Sequence, residues 1–282
     1  MSIAEARSLL SGSGKGPIIA FNAVSLEHAE AIVDAAERAR RPVILAISSN
    51  TVRFHGRLRP FADACSRLAA ECGQPIALHL DHVEQLSLVR VAADAGFSSV
   101  MFDASRLDFA ANCEQTALAS EFAHADGLWV ESELGEIGGK DGAHSATART
   151  DPREAKIFVE RTGIDALAVA VGTSHAMTGR DAIVDYELIG HLRDNLAVPL
   201  VLHGSSGLDD ERIAQAARAG ITKINVGTRL NVAWMGAVRD RVLHDTGVDP
   251  RPALCEAREA MTVAMTALLH VFETPPKKGP EQ

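Results

Sequence analysis

Short apolar runs bounded by Gly, Pro and polar residues recur along the chain: PIIAFN (17–22), PVILAIS (42–48), PIALHLDH (75–82) and SSVMFDAS (98–105), then LWVESELG (128–135), ALAVAVG (166–172), PLVLHGSSG (199–207) and TKINVGT (222–228). These eight runs are nearly continuous in apolar character rather than alternating, the pattern of strands covered on both faces. Most are separated by Ala-rich stretches with helical spacing, for example 25–40, 83–96 and 209–220. Each of these carries Ser, Asp or Glu within its first two residues, and the latter two close at Gly, as helix caps and dipoles favour. Strand and helix repeated eight times close most simply as a (β/α)8 TIM barrel. An open doubly wound sheet is the alternative, but no GxGxxG follows the first run and no GxxxxGK[ST] occurs anywhere.

Two more helical stretches follow the last strand, 231–247 and 252–272. The second is apolar on one broad face and suits packing on the barrel or on a partner subunit. The pattern therefore predicts one barrel domain with extra C-terminal helices over 1–273 and a disordered tail at 274–282. A length of 282 residues fits this architecture, which takes about 250 residues as a unit. Apolar residues are 46% of the chain and aromatics only 4%, so the core must be built from Ala, Val, Leu and Ile rather than from large rings.

A net charge of −9 argues against nucleic acid or an anionic membrane as partner, since the average surface field repels both. An anionic substrate would need a local positive site. The N-terminus has no basic start followed by a long apolar run, and no stretch approaches 18 apolar residues. The expectation is no signal peptide, no membrane span and a cytoplasmic location. Cys65, Cys72, Cys113 and Cys255 form no CxxC pair, which fits small buried residues in a reducing compartment.

Barrel enzymes place their chemistry at the C-terminal ends of the strands. There the third run ends in Asp81-His82, the fifth carries Glu131 and Glu133, the sixth leads into Gly172-Thr173-Ser174-His175, the seventh ends in His203-Gly204-Ser205-Ser206, and the eighth holds Asn225 and Thr228. His82, His175 and His203 thus lie just beyond three strand ends and would converge over one mouth. Three His ligands with an open fourth position make a catalytic zinc arrangement. His79, inside the third run, is placed as a hydrogen-bond partner behind the ligands. The remaining histidines lie in helices or loops. Asp81 adjoins a proposed ligand and could move a proton on a substrate polarised by the metal. Gly204, Ser206, Asn225 and Thr228 follow the seventh and eighth strands, where barrels often bind phosphate through backbone N–H groups and hydroxyls. The segment 135–152 is Gly-rich with few apolar anchors and reads as a mobile lid.

With LHLDH, VESELGEIGG, AVGTSH, LVLHGSSG and KINVGT in order from about Ile18 to Arg239, the chain resembles the class II, metal-dependent fructose- or tagatose-bisphosphate aldolases. The resemblance implies that His82, His175 and His203 hold Zn2+, with Glu133 a carboxylate on or next to the metal. It implies that Asp81 protonates the aldehyde-derived hydroxyl and that Asp141 in the lid shuttles the C3 proton. Ser48, Ser206, Asn225 and Thr228 match positions that contact dihydroxyacetone phosphate, and Gly172 and Gly204 positions that line the phosphate or a monovalent cation. Arg251 resembles an arginine that reaches the distal phosphate in a neighbouring subunit of a homodimer or homotetramer.

Three positions depart from the family pattern. The lid reads Lys140-Asp141-Gly142 where an acidic pair is common, Ala176-Met177-Thr178 follows His175 where Gly and then an aromatic and basic stretch are usual, and Gly227 stands where many members have Asp. The last change removes a carboxylate that helps bind ketose hydroxyls. The implied reaction is aldol cleavage of a ketose phosphate to dihydroxyacetone phosphate and an aldehyde. A related aldolase acting on a keto-sugar-acid phosphate, a zinc hydrolase and a non-catalytic sugar-phosphate-binding barrel remain as alternatives.

Overall fold

The structure, a computed structural model, describes residues 4–11, 16–134, 149–174 and 182–272. Eight parallel strands close into a barrel in chain order: β1 (Ile18–Asn22), β2 (Val43–Ser48), β3 (Ile76–Val83), β4 (Ser99–Phe102), β5 (Trp129–Leu134), β6 (Ala166–Val169), β7 (Leu200–Leu202) and β8 (Ile221–Val226). Strand β8 returns to pair with β1, so no edge is left open. This is the (β/α)8 barrel expected from the pattern. Strands β4, β6, β7 and β8 end earlier than their runs; past β4 and β7 the chain leaves the ladder where the polar residues Asp103 and His203 begin.

Alternate side chains of each strand point inward and outward. Outward positions such as Ile19, Leu45, Leu78, Val130 and Leu167 join helix residues including Ile32, Ala36 and Phe158 in one continuous apolar layer. Inward positions near the N-terminal end are mostly small: Ala20, Ala77, Ala166 and Ala168 surround Ile44, Met101 and Val201. Small inward residues leave room in a narrow barrel for one large ring, Trp129 of β5, in the same cluster. A helix not anticipated from the sequence, Ala6–Ser11, closes this end. Ala6 is buried in the inner cluster and Leu9 and Leu10 pack against it. The N–H of Ala4 donates to Ile76 O at 3.0 Å, which anchors this segment to the start of β3.

The expected helix over 83–96 is not continuous. Val83 stays in the sheet opposite Phe102, Leu86–Val89 forms one α-turn, and Ala93–Ala95 tightens to a 3-10 turn ending at Gly96 with φ 85°. A 3-10 turn rises about 2.0 Å per residue against about 1.5 Å for an α-helix. The short connection can thereby run back along the barrel with fewer residues. The C-terminal helices are Thr228–His244 and Arg251–His270. The second buries Met261, Met265, Leu268 and Leu269 and is tied to helix Leu26–Ala39 by Arg258–Glu30 and Arg38–Glu259 ion pairs, both at 2.7 Å. Among the described residues, no helix is long and apolar enough to cross a membrane. The tail 274–282 lies outside the described residues.

Candidate active site

Above the small-residue layer the inward positions become polar. Glu131 and Glu133 of β5 are two residues apart and therefore face the same side; with His79 and Asp81 of β3, His203 after β7, and Lys223 and Asn225 of β8 they fill the upper barrel, and all are buried. The mouth above them is a cavity of about 420 Å³ lined by Asp81, His82, His203, Ser206, Asn225 and Thr228 among others.

Asp81 and His82 are consecutive, and a regular strand would aim them to opposite faces. His82 instead adopts φ 52° in the left-handed region, at a register shift between Leu80 and Val83, so both side chains line the cavity. A non-glycine residue in that region is costly and persists where surrounding contacts enforce it. Here Ser49 Oγ donates to the His82 carbonyl and Nδ1 of the His82 ring lies 2.8 Å from Asp103 Oδ2. Asp103 is held in turn by Ser105, whose hydroxyl donates to Oδ1 at 2.7 Å.

Nδ2 of Asn22 donates to Asp81 Oδ2 at 2.9 Å, and Nδ2 of Asn225 donates to Oδ1 at 3.3 Å. Burial pushes the Asp81 pKa upward, but the imidazoles of His82, His203 and His79 and the Lys223 ammonium outweigh it and hold the carboxyl well below its usual range. His203 is fully buried, and its Nε2 lies 2.9 Å from Glu131 Oε1. Glu131 Oε2 accepts from Lys223 Nζ at 2.6 Å. Burial opposes ionisation of Glu131 too, yet Lys223 and the bond from His203 pull its pKa down to about 2. His79 is kept neutral, first by burial and then by Lys223, with a pKa lowered to about 3.

Donor atoms of Asp81, His82 and His203 lie within 4.8 Å of one another, and those of His82, Asp103 and Glu133 form a second such group sharing His82. Both imidazoles have one ring nitrogen committed to a carboxylate, the usual support for a metal-binding histidine. The donor set, two backed imidazoles beside carboxylates, fits a divalent cation such as zinc. His175 lies outside the described residues, as do Asp141 and most of the segment read as a lid.

Also at the cavity, Ser205–Gly207 forms a 3-10 turn and Gly227 caps helix Thr228–His244 without any side-chain cap. Gly204 has φ 68°, and a Cβ there would lie 2.7 Å from the Ser174 backbone, so only glycine allows the loops after β6 and β7 to meet so closely. The Ser206 hydroxyl accepts from Arg229 N at 3.0 Å. Helix-terminal N–H groups and hydroxyls in one wall form the arrangement that binds anions. Asn225 Oδ1 is buried with no hydrogen-bond partner among the described residues.

The expected residues thus divide. Ser48, Asp81, His82, His203, Gly204, Ser206, Asn225 and Thr228 line one cavity. Glu133 lies just beneath, beside His82 and Asp103. Gly172, with φ 104°, packs against the Ile183 carbonyl and Arg149 and does not line the cavity among the described residues. Arg251 is exposed on the C-terminal helix, paired with Asp249 at 2.6 Å, and is not in this chain's cavity. Asn22, Asp103 and Lys223 join the expected residues only through the fold. Each had a signal: Asn22 and Asp103 sit at strand ends, and Lys223 interrupts an apolar run two residues before Asn225.

A closed parallel barrel with a histidine–carboxylate cluster and an anion-type cradle in one cavity at the strand ends defines the class, a barrel enzyme whose site fits a divalent cation. The chain belongs to the class II fructose-bisphosphate aldolase family, whose model matches residues 12–277. It is similar to the YdjI aldolase from Escherichia coli K12 at 32% identity, covering 96% of this chain and 97% of that one with a TM-score of 0.84. It is also similar, at 27% identity, to a Coccidioides immitis protein provisionally described as a fructose-1,6-bisphosphate aldolase, covering 95% of this chain and 96% of that one with a TM-score of 0.86. A fructose-bisphosphate aldolase from Campylobacter jejuni shares the fold at 21% identity and a TM-score of 0.82, covering 96% of each chain.

Proposed function

We propose that this aldolase is zinc-dependent and reversibly cleaves a ketose phosphate, of the fructose or tagatose 1,6-bisphosphate type, to dihydroxyacetone phosphate and an aldehyde. The observation that carries the reading is the single cavity in which Asp81, His82 and His203 face the Gly204–Ser206 and Thr228 wall. His82 and His203, with His175, would hold the metal, and Glu133 would offer a further carboxylate. Bound there, zinc supplies Lewis-acid polarisation of the ketone and neighbouring hydroxyl oxygens.

The protein residues do the rest. Ser206, Thr228 and the N–H groups around Gly204 and Gly227 bind the substrate phosphate, with Ser48 on the adjacent wall. The Asn225 carbonyl accepts from a substrate hydroxyl. In cleavage Asp81 takes the proton of the C4 hydroxyl as the C3–C4 bond breaks, and the aldehyde leaves. Asp141 then delivers a proton to C3 of the remaining three-carbon fragment. In synthesis the same transfers run backwards, and Asp81 protonates the aldehyde-derived oxygen. Gly172 would sit behind the phosphate or a monovalent cation, and Arg251 would reach a neighbouring subunit's site in a homodimer or homotetramer. The setting proposed is the cytoplasm.

A second reading has support of its own. A Cβ on Gly227 would lie 3.5 Å from Asn22 Oδ1, so the missing Asp side chain leaves room and removes a charge beside Asn22 and Asp81. That favours a related aldolase for another keto-sugar or keto-sugar-acid phosphate. Retro-aldol turnover with a panel of ketose 1-phosphates, 1,6-bisphosphates and acid analogues, with dihydroxyacetone phosphate detected before and after chelation and zinc add-back, decides both. Zinc-restored release of dihydroxyacetone phosphate from one of them supports the reading and names the sugar. One zinc bound per chain with no ketose phosphate cleaved overturns it.

A further inference from the structure

The middle of the barrel holds a cation that touches no part of the cavity. Lys223 is fully buried, does not line the mouth, and reaches two partners: Glu131 Oε2 at 2.6 Å and His79 Nε2 at 3.5 Å. An ammonium can only donate, so the direction of every hydrogen bond on either side of it follows.

On one side the Ser99 hydroxyl donates to Leu78 O at 3.4 Å and therefore accepts from His79 Nδ1, 2.8 Å away. His79 is thus the Nδ1–H tautomer, leaving Nε2 as the acceptor that faces Lys223. On the other side Lys223 donates to one oxygen of Glu131, and the second oxygen, an acceptor only, lies 2.9 Å from His203 Nε2. Nε2 of His203 must carry the hydrogen. Nδ1 is then the nitrogen with the lone pair.

We propose that Lys223 is a positioning residue that acts through Glu131 to hold His203 as the Nε2–H tautomer, with Nδ1 presented as the metal-binding atom. Resting as it does on the zinc reading above, the inference adds a device that fixes which nitrogen of a buried ligand is available before the metal arrives. His79, Glu131 and Lys223 lie in strands β3, β5 and β8, so every part of the device except His203, which follows β7, is built into the barrel strands.

The test uses Glu131→Gln alone and together with Lys223→Met. In the single variant Lys223 claims the amide oxygen and turns the amide NH2 toward His203 Nε2. His203 then flips to the Nδ1–H tautomer, and zinc binding weakens by about 10- to 100-fold. In the double variant nothing claims the oxygen, the amide rotates to accept from Nε2–H, and most of the zinc affinity returns. Imidazole 15N shifts of metal-free protein report the tautomer, zinc competition titration the affinity, and thermal melts the integrity of each variant.

Recovery of affinity on adding a second buried substitution is the expected result, and one that a merely structural role for Lys223 would not produce. A double variant that folds and binds zinc no better than Glu131→Gln overturns the proposal. If the variants do not fold, the wild-type spectrum still decides: an Nδ1–H signal for His203 refutes the proposal and Nε2–H supports it. Wild-type protein with the Nε2–H tautomer that takes up no zinc refutes the zinc reading while supporting the role of Lys223.

Discussion

Asn22 Nδ2 donates to Asp81 Oδ2 at 2.9 Å, joining the end of the first strand to the end of the third. With Asn225 on the other oxygen, this fixes the carboxylate plane at the cavity floor. An Asp81→Asn variant preserves shape but cannot take the hydroxyl proton. Its kcat is expected to fall about 10²- to 10⁴-fold, the usual worth of a positioned acid or base, with zinc content unchanged. Turnover within a few-fold of wild type would remove Asp81 from the chemistry.

Chelation should abolish turnover and zinc should restore it. Because a ligand that binds only the folded state stabilises it by mass action, zinc at 100 times its Kd adds about 2.7 kcal/mol. The melting temperature of metal-free protein should therefore rise by about 5 °C or more on zinc addition. A melt indifferent to zinc would mean that the histidine cluster holds no such ion.

Asp103 supports His82 through the 2.8 Å contact to Nδ1. Asp103→Ala leaves the ring free to rotate, and a weakening of zinc affinity of about 10- to 100-fold is expected. Competition titration against a chelator of known affinity measures it, and unchanged affinity would show that the Ser49 contact and the His82 backbone suffice.

At Gly204 both conformation and space demand glycine, since φ is 68° and the Ser174 backbone lies 2.7 Å from where a Cβ would be. Gly204→Ala should cost about 2 kcal/mol or more. That corresponds to a melting temperature lower by about 4–8 °C. Gly190→Ala serves as control, because nothing lies within 4 Å of its added methyl.

His79 should make the metal-free protein sensitive to mild acid. Its folded pKa, lowered by burial and by Lys223 to about 3, lies below the ordinary value of 6.5, so between these values the unfolded chain binds more protons. Stability is complete above the unfolded pKa and declines as pH falls through the window, by at most about 1.4 kcal/mol per pH unit. Glu131, lowered from 4.5 to about 2, acts in the same direction only at lower pH. Denaturant unfolding of wild type and His79→Gln between pH 5 and 6.5 isolates the histidine, and the variant should show the shallower slope. Equal slopes would show that His79 is protonated in the folded protein.

Eight apolar runs with Ala-rich spacers determined the barrel and its strand order, because burial on both faces writes a continuous apolar signature that needs no tertiary information. Residues at strand ends were legible for the same reason: Asp81, His203, Ser206 and Asn225 interrupt that signature and line the cavity. Tertiary structure alone decided what lies behind them. Asp103 meets His82 because β4 lies beside β3, Asn22 meets Asp81 across the mouth, and Lys223 meets Glu131 through the barrel interior. Nor does the residue pair Asp81-His82 disclose that a left-handed backbone turns both side chains to one side. Periodicity records which face of an element is buried. Which partner a buried polar atom finds there depends on the closure of the barrel, which brings Lys223 to His79 and Asn225 to Asp81, each 144 positions away.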